Sequence, residues 1–215
     1  MMDKFYTMRI LMVVLGNVII GMGVSLFRVI GFGVDPFTSM NIGLSKTIGM
    51  SLGLFQVIVN IIILSLILFI TKDKKIIGIG TIVNMVFLGY IIEFLGEFYN
   101  IFFDDPRSLW VKVILMILSF ILVSLGVSTY CSAKLGSSPY DYLPNILNKY
   151  GEYGTCRVIL DILCVVIGVV CKSELGISTV LIALGTGPVV QRMNVYIENR
   201  LFNSSNIYGY LENLD

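Results

Sequence analysis

The chain has 215 residues, of which 56% are hydrophobic and 13% charged, with 15 Lys and Arg against 14 Asp and Glu and no histidine. Soluble domains carry roughly 25% charged residues, so this composition excludes an ordinary soluble fold and indicates an integral membrane protein. A net charge of +1 and the lack of aromatic-basic interleaving exclude a nucleic-acid partner recognised through a basic surface.

A helix crossing the bilayer needs about 20 apolar residues. Six stretches approach that length: residues 10–27, 52–70, 76–95, 109–130, 155–171 and 175–190. The first follows Lys4 and Arg9, but it is long for a signal peptide and has no small-residue cleavage site. A related run recurs in mid-chain at residues 113–130, where a removable signal does not belong.

Between the first two spans lies Gly33-Val34-Asp35-Pro36-Phe37, and between the fourth and fifth lies Gly136-Ser137-Ser138-Pro139-Tyr140. Each reads as a glycine turn followed by a helix that starts at the proline, with Asp35 or Ser138 at the N-cap. Ser138 and Asp141 also have capping-box spacing. Both helices are too short to cross comfortably and read as re-entrant, interfacial or tilted.

The likeness extends along the chain. Gly23-Val24-Ser25 matches Gly126-Val127-Ser128, Gln56 to Asn60 matches Arg157 to Asp161, and Gly78-Ile79-Gly80-Thr81 matches Gly176-Ile177-Ser178-Thr179. These ordered glycine, proline and threonine positions indicate a duplication. The predicted fold is all-α, with six transmembrane helices and two short proline-started helices arranged as two inverted three-span repeats. Residues 1–100 form the first repeat, 101–192 the second, and 193–215 a polar tail. With the N-terminus in the cytoplasm, Lys4, Arg9, Lys72, Lys74, Lys75, Lys134, Lys149, Arg192 and Arg200 face inward, while Arg28, Lys46, Arg107, Lys112 and Lys172 face out with the acidic loop 97–105, in keeping with the positive-inside tendency. If the short helices cross instead, there are eight spans in two parallel halves, which exports Lys4 and Arg9.

Irregular backbone at membrane depth survives only where it lines a cavity or is buried in protein. The two turns are therefore expected at a solute site, where helix N-termini offer free N–H groups. Asp35, Thr38, Asn41, Ser138, Asp141 and Asn145 are the polar candidates around them. Gln56 and Asn60, matched by Arg157 and Asp161, stand at i, i+4 on one face of a helix. Ionisable residues inside spans are functional candidates by default, so Asp161 reads as a proton or cation acceptor and Arg157 as its partner or a solute clamp. An ion pair serving assembly alone is the competing reading. Cys131, Cys156, Cys164 and Cys171 have neither CxxC spacing nor histidine partners, so they read as reduced packing residues.

The glycine-turn-proline-aromatic element, with Gly-Ile-x-Thr opening the last span of each half, resembles the bacterial YczE/YyaS/YitT membrane-protein family. That resemblance implies a multi-pass protein of the bacterial cytoplasmic membrane, of the kind described as permeases, and supplies no substrate. The expected function is a small secondary transporter for a small polar solute, anionic or zwitterionic among the options, bound between the repeats. The alternatives are an aquaporin-like channel, a substrate-binding subunit of a larger importer, and a non-transport assembly factor. Partners are the solute and membrane lipid, with homo-oligomerisation open. No enzyme activity, cofactor, metal or catalytic residue is expected.

Overall fold

The computed structural model describes residues 2–72, 77–102, 108–147, 151 and 153–202. Among them the regular structure is eight α-helices: α1 (Met2–Ile30), α2 (Pro36–Ile48), α3 (Leu52–Thr71), α4 (Ile79–Phe102), α5 (Leu109–Ser132), α6 (Pro139–Leu147), α7 (Tyr153–Val170) and α8 (Ile177–Phe202). The chain is all-α, and four helices are long and apolar enough to cross a membrane: Tyr6–Ile30 of α1, Leu52–Thr71, Ile79–Ile101 of α4, and Leu109–Ser132. The two other expected spans are helical but less apolar. α7 has 18 residues and includes Arg157 and Asp161, and the apolar part of α8 is confined to Ile177–Thr186. α8 continues to Phe202 without a break at residue 192. Lys74, Lys75, Lys149 and residues 203–215 lie outside the described residues.

Lipid tails are as apolar as leucine, so membrane helices gain by close approach rather than by leaving water. The α1–α5 crossing shows this. A Cβ on Gly16 would stand 2.8 Å from Tyr130 N and 2.9 Å from Gly126 O, and one on Gly126 would stand 2.7 Å from Ile20 N and 2.8 Å from Gly16 O. Gly23 is pressed in the same way against Ser119 O, at 2.9 Å, and Val123 N, at 3.0 Å. Positions rise along α1 as they fall along α5, so the two helices are antiparallel. At one end Arg9, 8% exposed, donates from Nε to Ala133 O at 2.6 Å and from Nη2 to Lys134 O at 2.7 Å. These bonds satisfy carbonyls where α5 ends.

α4 lies parallel to α1. Asn84 Nδ2 donates to Asn17 Oδ1 at 2.8 Å, and Ser25 Oγ donates to Ile92 O at 2.9 Å. α8 lies parallel to α5 in the same manner, with Ser128 Oγ donating to Asn194 Oδ1 at 2.6 Å. Interhelical bonds of this kind contribute about 0.6 kcal/mol each; their main effect is to fix register. α2 and α6 have 13 and 9 residues, or about 20 and 14 Å at roughly 1.5 Å per residue. Both fall short of the approximately 30 Å hydrocarbon core.

Candidate functional site

Both short helices begin at the expected prolines. Asp35 caps α2, its Oδ1 accepting from Thr38 N at 3.0 Å. The preceding turns need glycine for two reasons. Gly33 and Gly136 have φ of 88° and 98°, a region that L side chains rarely adopt. Each also abuts the opening of the other half's last helix: a Cβ on Gly33 would meet Gly176 N, and one on Gly136 would meet Thr81 Oγ1. The docking bonds correspond as well. Phe32 O accepts from Ser178 N at 2.9 Å, and Leu135 O accepts from Gly80 N at 2.7 Å. Thr81 and Thr179 accept from the glycine N–H at the head of their own helix, Gly78 at 3.3 Å and Gly176 at 3.2 Å. The Gly-Ile-x-Thr motif thus builds a socket for the opposite glycine turn.

With the turns fixed, the two helix starts meet. The Phe37 and Tyr140 rings stack with centroids 4.2 Å apart and planes inclined by 14°. Cys164, Met40, Leu143, Val59, Leu160 and Ile63 surround them, and these fall into corresponding pairs of the two halves: Met40 with Leu143, Val59 with Leu160, and Ile63 with Cys164.

The polar groups beside the stack do not correspond. In the second half Tyr140 OH donates to Asp161 Oδ1 at 2.6 Å. Arg157 donates from Nε to Asp161 Oδ2 at 3.3 Å and from Nη1 to Asp141 Oδ1 at 2.7 Å. Its guanidinium carbon also lies 4.8 Å from the centre of the Tyr140 ring, within cation–π range. Asp141 is therefore held by Arg157. Two carboxylates, Asp141 and Asp161, thus share one guanidinium.

In the first half Phe37 has no hydroxyl, and Gln56 and Asn60, 2% and 1% exposed, replace Arg157 and Asp161. Gln56 Oε1, both polar atoms of Asn60, and Asn41 Oδ1 have no hydrogen-bond partner among the described residues. Buried polar groups are nearly always paired, so this concentration of unsatisfied amides on α2 and α3 is unusual. Asn41 Nδ2 donates to Phe37 O at 2.9 Å.

Of the ten residues singled out from the sequence, Asp35, Thr38, Ser138, Asp141, Arg157 and Asp161 stand at or beside the two helix starts. Asn41 and Asn60 are buried on the first-half helices, whereas Gln56 is turned toward α4, where a Cβ on Gly89 would stand 2.9 Å from its Oε1. Asn145 is exposed on α6.

Sequence reasoning missed Glu174, in the loop from α7 to α8. Its carboxylate accepts from Arg28 Nε at 3.0 Å and Lys46 Nζ at 2.8 Å, and its carbonyl accepts from Ser39 Oγ at 3.2 Å. Burial alone would raise the Glu174 carboxyl, but the two cations outweigh it and hold the group below the usual carboxylate range. The only signal was a single acid opposite two cations far away in sequence.

A curated protein of Haemophilus influenzae, itself described as an uncharacterized protein, is 28% identical over 128 residues, covering 58% of this chain and 57% of that protein. The match therefore spans little more than half of the curated relative. No solved structure matches the chain. A family model for DUF6198, described as a family of unknown function, matches residues 7–195, which include both glycine turns, both short helices and the Arg157–Asp161 pair. The chain belongs to the DUF6198 family of unknown function.

Proposed function

We propose that this protein is a small secondary transporter of the bacterial cytoplasmic membrane, with six spans in two inverted repeats and a polar solute bound where α2 and α6 meet. The observation that carries the reading is the Phe37–Tyr140 stack between two proline-started helices, each locked by its glycine turn onto the other half. Helices interrupted near the midplane, with their N-termini directed at the solute, are a recurrent plan of such carriers. The YczE/YyaS/YitT resemblance points the same way.

Support for a polar solute comes from the groups around the stack. Asp161, Arg157 and Asp141 supply charge, and Asn41 and Asn60 supply unsatisfied amide groups. Arg157 would clamp an acidic group, exchanging it for Asp141, while Asp161 would take a proton or a cationic group. The Phe37–Tyr140 stack closes the two helix starts against each other, which supports a carrier over an open channel.

The test is uptake by proteoliposomes of a panel of radiolabelled polar solutes, amino acids first. Saturable uptake that is lost in Arg157→Gln and Asp161→Asn is the expected result. Flux of none of the solutes, or unchanged uptake by both variants, would overturn the reading.

A further inference from the structure

A second polar site lies away from the aromatic stack, where α1 and α2 end and α3 begins. It is a cleft of about 160 Å³ whose polar wall residues are Arg28, Ser45, Lys46, Glu93, Glu97 and Asn100. The volume is small beside the roughly 300–1,000 Å³ of drug-sized pockets, so it suits a molecule of only a few heavy atoms.

The two signs of charge come from different helices. Arg28 ends α1 and Lys46 lies in the last turn of α2, whereas Glu93 and Glu97 follow each other at i, i+4 on α4. Glu93 is partly engaged, accepting from Leu52 N and Gly53 N at 3.2 Å each, at the start of α3. Glu97 is exposed. On the basic side the protein demonstrates a carboxylate complex itself: Glu174 receives Arg28 Nε and Nη2 at 3.0 and 3.4 Å and Lys46 Nζ at 2.8 Å. Lys46 is 58% exposed at its side chain, so it can exchange partners at little steric cost.

We propose that this cleft binds a small zwitterion, its acidic group competing with Glu174 for Lys46 and Arg28 and its ammonium facing Glu97 and Glu93. Among the described wall residues two cations, Arg28 and Lys46, face two carboxylates, Glu93 and Glu97. A ligand that carries both an acidic group and an ammonium meets both poles, whereas a lone anion leaves the two glutamates unmatched. Because Glu174 lies in the α7–α8 loop, a ligand that takes its place at Lys46 loosens that loop from α2. A free amino acid and a phosphoethanolamine lipid headgroup share the required chemistry.

Binding does not depend on transport, so it is measured on the full chain without flux. In detergent, thermal unfolding is followed with a panel of α-amino acids, using their N-acetyl and methyl ester derivatives as single-charge controls. In nanodiscs, phosphatidylethanolamine is compared with phosphatidylglycerol. A saturable upward shift with an amino acid, absent for both blocked forms, identifies a free solute; a shift confined to phosphatidylethanolamine identifies a lipid. In either case Lys46→Met and Glu97→Gln should weaken binding by roughly tenfold or more, and Glu174→Gln, which removes the internal competitor's charge, should tighten it. No shift in either arm, or affinities unchanged in all three variants, would overturn the proposal even if uptake at the aromatic stack were established.

Discussion

Tyr140 and Asp161 share a 2.6 Å hydrogen bond between the start of α6 and the middle of α7. It ties the aromatic stack to the ion-pair cluster. Tyr140→Phe keeps the ring and leaves Asp161 Oδ1 without its donor, so a loss of about 1–3 kcal/mol is expected. Phe37→Ala removes the partner ring, for which about 3–5 kcal/mol is the usual range. Thermal unfolding in detergent should rank the two in that order.

The glycine turns allow a sharper comparison. Gly31 and Gly49 have φ of 70° and 77° with nothing near a prospective Cβ, whereas Gly33 and Gly136 combine positive φ with a collision. Alanine at Gly31 or Gly49 should lower stability by only about 1 kcal/mol. At Gly33 or Gly136 it should abolish the folded, monodisperse fraction on size-exclusion chromatography, because backbone and the threonine socket must move.

Arg157 holds two carboxylates. Arg157→Gln leaves Asp161, 8% exposed, as an uncompensated buried charge, and such losses run to about 3–5 kcal/mol. Combining Arg157→Gln with Asp161→Asn should recover part of that loss. A double-mutant cycle on melting temperature measures the coupling, and additive effects would mean that the pair is not coupled.

Glu174 should make stability depend on pH. Its folded-state pKa is depressed below the ordinary value of 4.5, so its contribution is fully present above that value and is lost as pH falls through the depressed one. The melting temperature of the wild type should therefore exceed that of Glu174→Gln at pH 7, and the gap should close on acidification below the usual carboxylate range.

The helix starts, the two-half correspondence and the Arg157–Asp161 pair were legible in the sequence because each rests on local chemistry. Pro36 and Pro139 fix a first helical turn, Gly33 and Gly136 mark positive φ, and i, i+4 spacing places two charges on one face. What was illegible depends on contacts across the fold. Asp141 has capping-box spacing, yet it pairs with Arg157 on another helix. Gln56 shares a helical face with Asn60, but close packing on Gly89 turns it toward α4. Glu174 meets Arg28 and Lys46 only because the α7–α8 loop docks on the first glycine turn. The repeated Gly-Ile-x-Thr motif was visible in the sequence, but its docking on the opposite glycine turn was not, because that docking runs through backbone bonds from Ser178 N to Phe32 O and from Gly80 N to Leu135 O.

The most direct test of the central proposal asks from which side of the membrane the ends of α2 and α6 can be reached. In a background with all four cysteines replaced, Ile48→Cys at the exposed end of α2 and Gly151→Cys, exposed just beyond α6, are treated with a membrane-impermeant maleimide in right-side-out and inverted vesicles. If both short helices turn back within the membrane, Ile48→Cys should label only from outside and Gly151→Cys only from the cytoplasmic side. Labelling of both from the same side would mean that the short helices cross, and would contradict two helix starts meeting from opposite faces.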